Sequence, residues 1–365
     1  KPNSLLFENE MLNDQGFRGP DFTIPKKPDQ FRIVCLGDSR TFGFGVTEET
    51  LTFCGQLRTY CSSMFPDRNI QVINLSVIGY SSFQGKRLAL LKLKDLQPDV
   101  ILCWFGFNDS LFFHVSDADS AAQGPFFRRM ESFLNHFAIY HCGSHLWKFL
   151  QRQSEDPIQL KQNIVRRVSL NEYRSNLLDL ANYTDQLNAE IYFITTPIRP
   201  EIPLVLNARL IEEKRSDGKT YQYLQSQYEL DGFWLMDAVR FPGSEHDLDR
   251  LLEKYPQLPI LHYFKALCLK NSDNKAEYMK HIALAQKLDT ERQVIDSYNN
   301  VVFEITQSTN AHLIDIIPLF QKFSRTTLFI DDCHPNSAGH GLIAGKIIES
   351  VFNQPVTFNK TYNVE

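Results

Sequence analysis

The stretch RIVCLGDS, residues 32–39, decides the fold prediction. An apolar run of strand length ends here at a glycine, and two polar residues follow directly. Continuous apolar runs are typical of parallel strands that are covered on both faces. We therefore predict a central strand at 32–36, with Gly37 allowing a tight turn that presents Ser39 at the carboxyl end of the strand.

Four further apolar segments alternate with segments of helical periodicity. The predicted strands cover 71–75, 99–105, 190–194 and 312–316, and the predicted helices cover 48–64, 83–96, 171–188, 291–309 and 338–352. The helices are apolar at the spacing of one helix face, whereas the strands are apolar along their whole length. This alternation predicts an α/β fold with a doubly wound parallel sheet of five strands.

Two long segments interrupt the alternation, at 110–168 and 198–290. Both are too long for ordinary connections, so we predict helical insertions. Within the second, two amphipathic helices at about 246–289 weakly resemble one tetratricopeptide hairpin, and we expect this hairpin to pack on the core. The predicted division of the chain is an irregular lead-in at 1–30, one domain at 31–352 that contains both insertions, and a C-terminal tail at 353–365.

The composition argues against several classes of function. The chain has 365 residues, 43% of them hydrophobic, and a formal net charge of -5. The hydrophobic fraction is that of a folded protein, and the acidic balance argues against a nucleic-acid partner. No apolar run approaches the roughly 20 residues of a membrane-spanning helix. The seven cysteines include no C-x-x-C pair and indicate neither a zinc ribbon nor a disulfide framework.

Polar residues follow the predicted strands at the sheet edge where open α/β folds bind ligands. Ser39, Gly79 and Asn108 come after the first, second and third strands, and Asp331 and His334 precede the last helix. Serine, histidine and aspartate can supply a nucleophile, its base and the group that orients the base. The N–H groups of Ser39 and Gly79 and the amide of Asn108 can donate to an oxyanion.

Four sequence blocks carry a resemblance to a known family. In chain order they are Gly37-Asp38-Ser39, Gly79, Gly106-x-Asn108-Asp109 and Asp331-x-x-His334. The set is similar to the four blocks of the SGNH, or GDSL, hydrolase superfamily, and the resemblance covers the predicted core without the insertions. It implies a flavodoxin-like sheet, no metal or cofactor, and hydrolysis of acyl or acetyl esters of carbohydrates or lipids. It also implies a triad of Ser39, His334 and Asp331 and an oxyanion hole of Ser39, Gly79 and Asn108.

Two details of this site stay open in the sequence. Many family members carry a glycine three residues before the oxyanion glycine, and this chain has Ser76 there. Asp332 competes with Asp331 as the partner of His334, although the i, i+3 spacing of Asp331 favours a turn that brings its carboxylate back to the imidazole.

The first insertion contains His136, His141 and His145. The i, i+4 spacing of the last two would suit a shared metal ion, but no glutamate completes a zinc-protease pattern. We predict packed or solvated histidines here and no metal site.

The predicted function is that of a serine esterase. An acyltransferase that uses the same residues, with a sugar hydroxyl in place of water, is one alternative. A catalytically inert scaffold whose helical hairpin docks a protein partner is another. The lead-in NDQGFRG, residues 13–19, is similar to one found in bacterial and often membrane-anchored members. It favours an extracytoplasmic location and anchoring before Lys1, whereas the cysteines without visible pairing favour the cytoplasm.

Overall fold

The computed structural model describes most of the chain. The described residues are 5–7, 10–113, 115–122, 165–199, 249, 252–253, 256–257, 259–269, 273–322, 328–331 and 333–356. The three histidines of the first insertion and Asp332 lie outside these ranges, as do the aromatic residues in the middle of the second insertion.

A five-stranded sheet forms the centre of the molecule. Its strands are β1 Gln30–Gly37, β2 Asn69–Asn74, β3 Val100–Trp104, β4 Glu190–Ile194 and β5 His312–Ile314. All neighbouring pairs are parallel, and the order across the sheet is β2-β1-β3-β4-β5. This order is the flavodoxin-like one, so the predicted α/β fold is confirmed.

Helices cover both faces of the sheet. They are α1 Ser39–Phe42, α2 Phe53–Met64, α3 Ser82–Leu96, α4 Phe107–Ser110, α5 Asp117–Ala122, α6 Leu170–Gln186, α7 Pro259–Leu269, α8 Lys275–Leu288, α9 Thr290–Ser308, α10 Ile317–Lys322 and α11 Ser337–Phe352. One core cluster joins α3, α6 and α9 to the sheet through residues such as Leu93, Leu177 and Val301. The other joins α2 and α11 to the opposite face through Leu57 and Ile347. None of the described helices is long and apolar enough to span a membrane.

The helix predicted at 48–64 is divided in two. A 3₁₀ turn covers Glu49–Leu51, and α2 begins only at Phe53. Thr52 separates them because its backbone is extended and its side chain accepts a hydrogen bond from the Gly55 N–H, which caps α2.

Parts of both insertions are described. The antiparallel pair Phe112–Phe113 and Val165–Arg166 forms the stem of the first. In the second, α7 and α8 are consecutive helices at the place where the sequence predicts a helical hairpin. A further antiparallel pair, Leu5–Phe7 with Glu10–Met11, lies in the lead-in.

The lead-in also braces the loop after α1. Arg18 is buried, and its guanidinium donates to the backbone oxygens of Phe42, Gly43 and Val46 at 3.2, 2.7 and 2.6 Å. Carbonyls at the end of a helix lack intrahelical partners, so these hydrogen bonds stabilise the C-terminal end of α1.

Candidate active site

Ser39 stands on a tight turn at the carboxyl end of β1. It is the first residue of α1, and the Asp38 carboxylate caps this helix by accepting from the Arg40 N–H at 2.9 Å. The turn needs glycine at position 37, because a Cβ there would lie 2.0 Å from Thr41 Oγ1 and 2.8 Å from the Trp104 carbonyl oxygen. The sequence thus fixes Ser39 in a short, rigid turn at the sheet edge.

Ser39, His334 and Asp331 form one chain of hydrogen bonds. The distance from Ser39 Oγ to His334 Nε2 is 2.8 Å, and that from His334 Nδ1 to Asp331 Oδ2 is 2.7 Å. An ionised carboxylate only accepts, so Nδ1 carries the proton and the lone pair of Nε2 faces the serine hydroxyl. This is the arrangement that general-base activation of a serine requires.

Asp331 is held as a carboxylate. Burial alone would raise its pKa, but the hydrogen bonds from His334 and from the backbone N–H of Cys333, together with the charge of His334, outweigh burial and lower the pKa. The backbone N–H groups of Cys333 and His334 donate to Asp331 Oδ1 at 3.0 and 2.8 Å. One carboxylate oxygen is therefore used to shape the turn and the other to orient the imidazole.

Packing fixes the imidazole from the other side. The ring of Phe44, in the loop after α1, lies 5.0 Å from the His334 ring between centroids. The backbone N–H of Ile330 donates to the His334 carbonyl oxygen at 2.8 Å. Phe329 and Pro335 form an isolated antiparallel β-bridge. The histidine turn and the serine turn thus pack directly against each other.

The three predicted oxyanion donors have different surroundings. The Ser39 N–H is at the first position of a helix, where no intrahelical acceptor exists. Gly79 has a φ of 77°, and its N–H has no backbone acceptor among the described residues. The Asn108 amide donates to the Tyr80 carbonyl oxygen at 3.0 Å, which orients the side chain and leaves its second N–H for a ligand.

Comparison with known proteins gives one family match over part of the chain. A family model described as the GDSL-like Lipase/Acylhydrolase family matches residues 35–200. This segment of the chain is similar to GDSL-like hydrolases of ester bonds. The matched segment contains Ser39, Gly79 and Asn108 and ends before Asp331 and His334. A search of curated proteins found no match.

Several solved structures are similar to the chain. One is LAE5, an alpha/beta hydrolase from the metagenome of Lake Arreo, with 14% identity, 88% of this chain and 95% of that chain covered, and a TM-score of 0.46. Axe2, an acetylxylan esterase from Geobacillus stearothermophilus, has 15% identity, coverages of 90% and 97%, and a TM-score of 0.46. The psychrotrophic esterase EstA from Pseudoalteromonas has 13% identity, coverages of 88% and 97%, and a TM-score of 0.42.

Ser76, where the sequence departs from the second block of the family it resembles, has a hydrogen-bond partner in the structure. Its hydroxyl is buried and donates to Asn74 Oδ1, which also accepts from the Ser76 N–H at 3.2 Å. The Asn74 amide in turn donates to the Thr41 carbonyl oxygen at 3.3 Å. Ser76 therefore ties the loop that carries Gly79 to the end of β2 and to α1.

Asp109, in the third block, is buried and connects the starts of two helices. Its buried carboxylate accepts from the Gly106 N–H at 3.1 Å and from the N–H and hydroxyl of Ser82 at the start of α3. Burial raises the pKa of Asp109 to about 6, although these hydrogen bonds favour the carboxylate. This residue holds α4, the helix of Asn108, against α3.

Cys333 lies between Asp331 and His334 in the last block. Its thiol is buried, 3.5 Å from His334 Nδ1. The ligand atoms of Asp331, Cys333 and His334 all lie within 4.8 Å of one another, a spacing that a metal ion could bridge. In the structure, however, Asp331 Oδ2 and His334 Nδ1 are bonded to each other, so a metal would have to break the contact that orients the imidazole.

Sequence reasoning missed the buried polar residues behind the serine turn. Arg40 follows Ser39 directly, is 1% exposed, and donates to Asp38 and to Thr196. The one signal for it in the sequence was a charged residue directly after Ser39.

Proposed function

We propose that the chain is a serine esterase in which Ser39 attacks the carbonyl carbon of an acyl or acetyl ester. The observation that carries the proposal is the continuous hydrogen-bond chain from Ser39 Oγ through His334 to Asp331. The substrate class, an ester of a carbohydrate or a lipid, comes from the family resemblance.

The proposed reaction has two stages. His334 Nε2 takes the hydroxyl proton as Ser39 Oγ bonds to the carbonyl carbon, and the imidazolium returns this proton to the leaving alcohol. Water then attacks the acyl-enzyme with His334 again as the base, which releases the acid and restores Ser39. Asp331 holds the imidazole orientation and stabilises the imidazolium in both stages.

The developing oxyanion would be bound by the N–H groups of Ser39 and Gly79 and by the amide of Asn108. The Ser39 N–H sits at a helix start, where unpaired N–H groups and the helix dipole favour negative charge. Gly79 has a positive φ, no atom lies within 4 Å of where its Cβ would be, and its N–H has no backbone acceptor among the described residues, so we infer that this N–H can donate to a substrate oxygen. Donors fixed in this way act without reorganisation during the reaction.

A direct test uses a panel of short- and long-chain aryl esters and acetylated sugars with the wild-type protein and Ser39→Ala. We expect hydrolysis by the wild-type protein and its loss in the variant. Equal turnover by both proteins would exclude Ser39 as the nucleophile.

The same panel separates the two alternatives. An acyltransferase would move the acyl group to an added sugar faster than to water, so products are analysed with and without acceptor sugars. An inert scaffold would neither turn over any ester nor react at Ser39 with a fluorophosphonate probe.

A further inference from the structure

Three arginines are almost completely buried in the part of the chain that the structure describes. Arg18, Arg32 and Arg40 are 1%, 0% and 1% exposed. A buried guanidinium is stable only when its N–H groups are hydrogen-bonded and its charge is compensated. Arg40 is the one that directly follows the proposed nucleophile, so its partners bear on the active site.

The contacts of Arg40 run in three directions. Its Nε and Nη2 donate to the two carboxylate oxygens of Asp38 at 3.1 and 2.7 Å. Its Nη1 donates to Thr196 Oγ1 at 2.8 Å, just beyond the end of β4. Its guanidinium carbon lies 4.8 Å from the Trp104 ring and 5.8 Å from the Phe107 ring. Burial would lower the pKa of Arg40, but the Asp38 carboxylate outweighs burial and raises it, so Arg40 stays charged.

The first partner belongs to the serine turn. Asp38 precedes Ser39 and caps α1. The Nε and Nη2 groups of Arg40, which form a planar fork, donate to both oxygens of this capping carboxylate and hold it in place. The bidentate geometry fixes the orientation of Asp38 as well as its position.

The other partners belong to the segment that carries Asn108. Thr196 Oγ1 accepts from Arg40 and donates to the Phe105 carbonyl oxygen at 3.1 Å. Phe107, which stacks near the guanidinium, is the residue directly before Asn108. Arg40 therefore contacts both the turn of the nucleophile and the helix start of the oxyanion donor.

We propose that Arg40 is a positioning residue that holds Ser39 and Asn108 in the relative positions that the reaction requires. This inference rests on the proposed esterase function and deepens it. Arg40 is buried and does not reach the substrate; it acts through Asp38 and through the Phe105–Phe107 segment. Misplacement of a reacting group by about 1 Å can cost roughly a hundredfold in rate, so a linkage of this kind affects turnover.

The fork geometry, and not the charge alone, makes this linkage. Lysine keeps the positive charge but cannot make the planar, bidentate contact with Asp38 and a third contact with Thr196 in a fixed geometry. In Arg40→Lys the lysine charge should still compensate the Asp38 carboxylate, and the protein should fold. The relative position of the Ser39 turn and the Asn108 segment should be less well fixed.

The test compares three variants with a matched control. Arg40→Lys removes the fork, and Thr196→Val removes only the hydrogen bonds at Nη1 and at Phe105. Arg32→Lys is the control, because Arg32 is equally buried and binds Gln71, Thr23 and Leu96 away from Ser39 and Asn108. Arg40→Lys is also made in the Asn108→Ala background. Steady-state kinetics with a small aryl acetate and the melting temperature are measured for each.

We expect kcat to fall at least about tenfold in Arg40→Lys, and by less in Thr196→Val, with KM nearly unchanged in both. Arg32→Lys should lower the melting temperature and keep kcat. In the Asn108→Ala background the loss from Arg40→Lys should shrink, because the donor that Arg40 positions is already absent.

Wild-type kcat in both Arg40→Lys and Thr196→Val would overturn the inference. So would an equal fold-loss with and without Asn108, or a kcat loss of the same size in Arg32→Lys, since either result would describe general destabilisation. A wild-type protein that lacks Ser39-dependent turnover would instead refute the proposed function itself.

Discussion

Ser39 Oγ and His334 Nε2 lie 2.8 Å apart although the two residues are 295 positions apart in the chain. The serine comes from the first strand of the sheet and the histidine from the turn before the last helix. Phe44 packs on the imidazole and Asp331 binds its other nitrogen, so the contact is held from two sides. The proposed proton transfer from the serine to the histidine depends on this contact.

Changing Asp331 to asparagine should lower kcat far more than the same change at Asp332. Asp331→Asn removes the carboxylate that fixes the proton on His334 Nδ1, and we expect kcat to fall by about 10²–10⁴ with KM little changed. Asp332→Asn is the matched control and should change kcat less than about threefold, because Asp331 Oδ2 already binds His334 Nδ1. The reverse order of effects would make Asp332 the partner of His334.

Asn108→Ala should lower kcat by about 10²–10³ and leave KM nearly unchanged. The reason is that its amide is proposed to bind the oxygen only when negative charge develops. Steady-state kinetics on an activated acetyl ester measure both constants. A raised KM at constant kcat would instead mean that Asn108 binds the ground state of the substrate.

His340 should make the fold sensitive to acid. Its ring is 0% exposed, both ring nitrogens have no hydrogen-bond partner among the described residues, and burial together with the charges of Arg18 and His334 lowers its pKa to about 3. The unfolded imidazole takes up a proton near pH 6.5, whereas the folded one does not until about pH 3. Stability is therefore lost as pH falls from about 6.5 toward 3, by up to roughly 1.4 kcal/mol per pH unit.

The test for His340 is chemical denaturation of the wild-type protein and His340→Phe at pH 7 and pH 5. Phenylalanine cannot take up the proton, so the stability of the variant relative to wild type should rise by about 2 kcal/mol between the two pH values. A difference that does not depend on pH would mean that His340 is protonated in the folded protein at pH 5.

The helical hairpin α7–α8 is predicted to govern the choice of substrate. It belongs to the insertion that follows β4, so the insertion leaves the sheet at the edge where Ser39 lies. Replacing about 246–289 by a short flexible linker should keep turnover of a small acetyl ester and change the selectivity among larger esters. A folded deletion variant with the parent's full substrate profile and a changed oligomeric state would show that the hairpin serves assembly.

Local sequence patterns were sufficient to predict the sheet and to propose a triad. Each strand is a short apolar run, and a parallel sheet places the residues after every strand at one edge. Ser39, His334 and Asp331 could therefore be grouped without knowledge of side-chain positions. The same argument placed Gly79 and Asn108 at that edge as possible oxyanion donors, and the family resemblance implies the same roles.

Contacts between distant segments could not be predicted in this way. Arg40 and Thr196 are 156 positions apart, and neither has a periodicity that indicates the other. His340 is buried beside Phe53, with 6.0 Å between the ring centroids. This contact joins two segments that are far apart in the chain, so the sequence of the helix that carries His340 does not predict it. The break at Thr52 was missed because a capping threonine does not interrupt the apolar spacing on which the helix prediction relied.

The most direct test of the proposed mechanism is the kinetics of Ser39→Ala, His334→Ala and the double variant on one activated ester. Because Ser39 and His334 are proposed to act in a single proton transfer, each single change should remove nearly all turnover, and the double variant should be about as slow as either single one. Circular dichroism should show that all three proteins are folded. A double variant slower than both singles by roughly another hundredfold would contradict the proposal, because the two residues would then contribute independently.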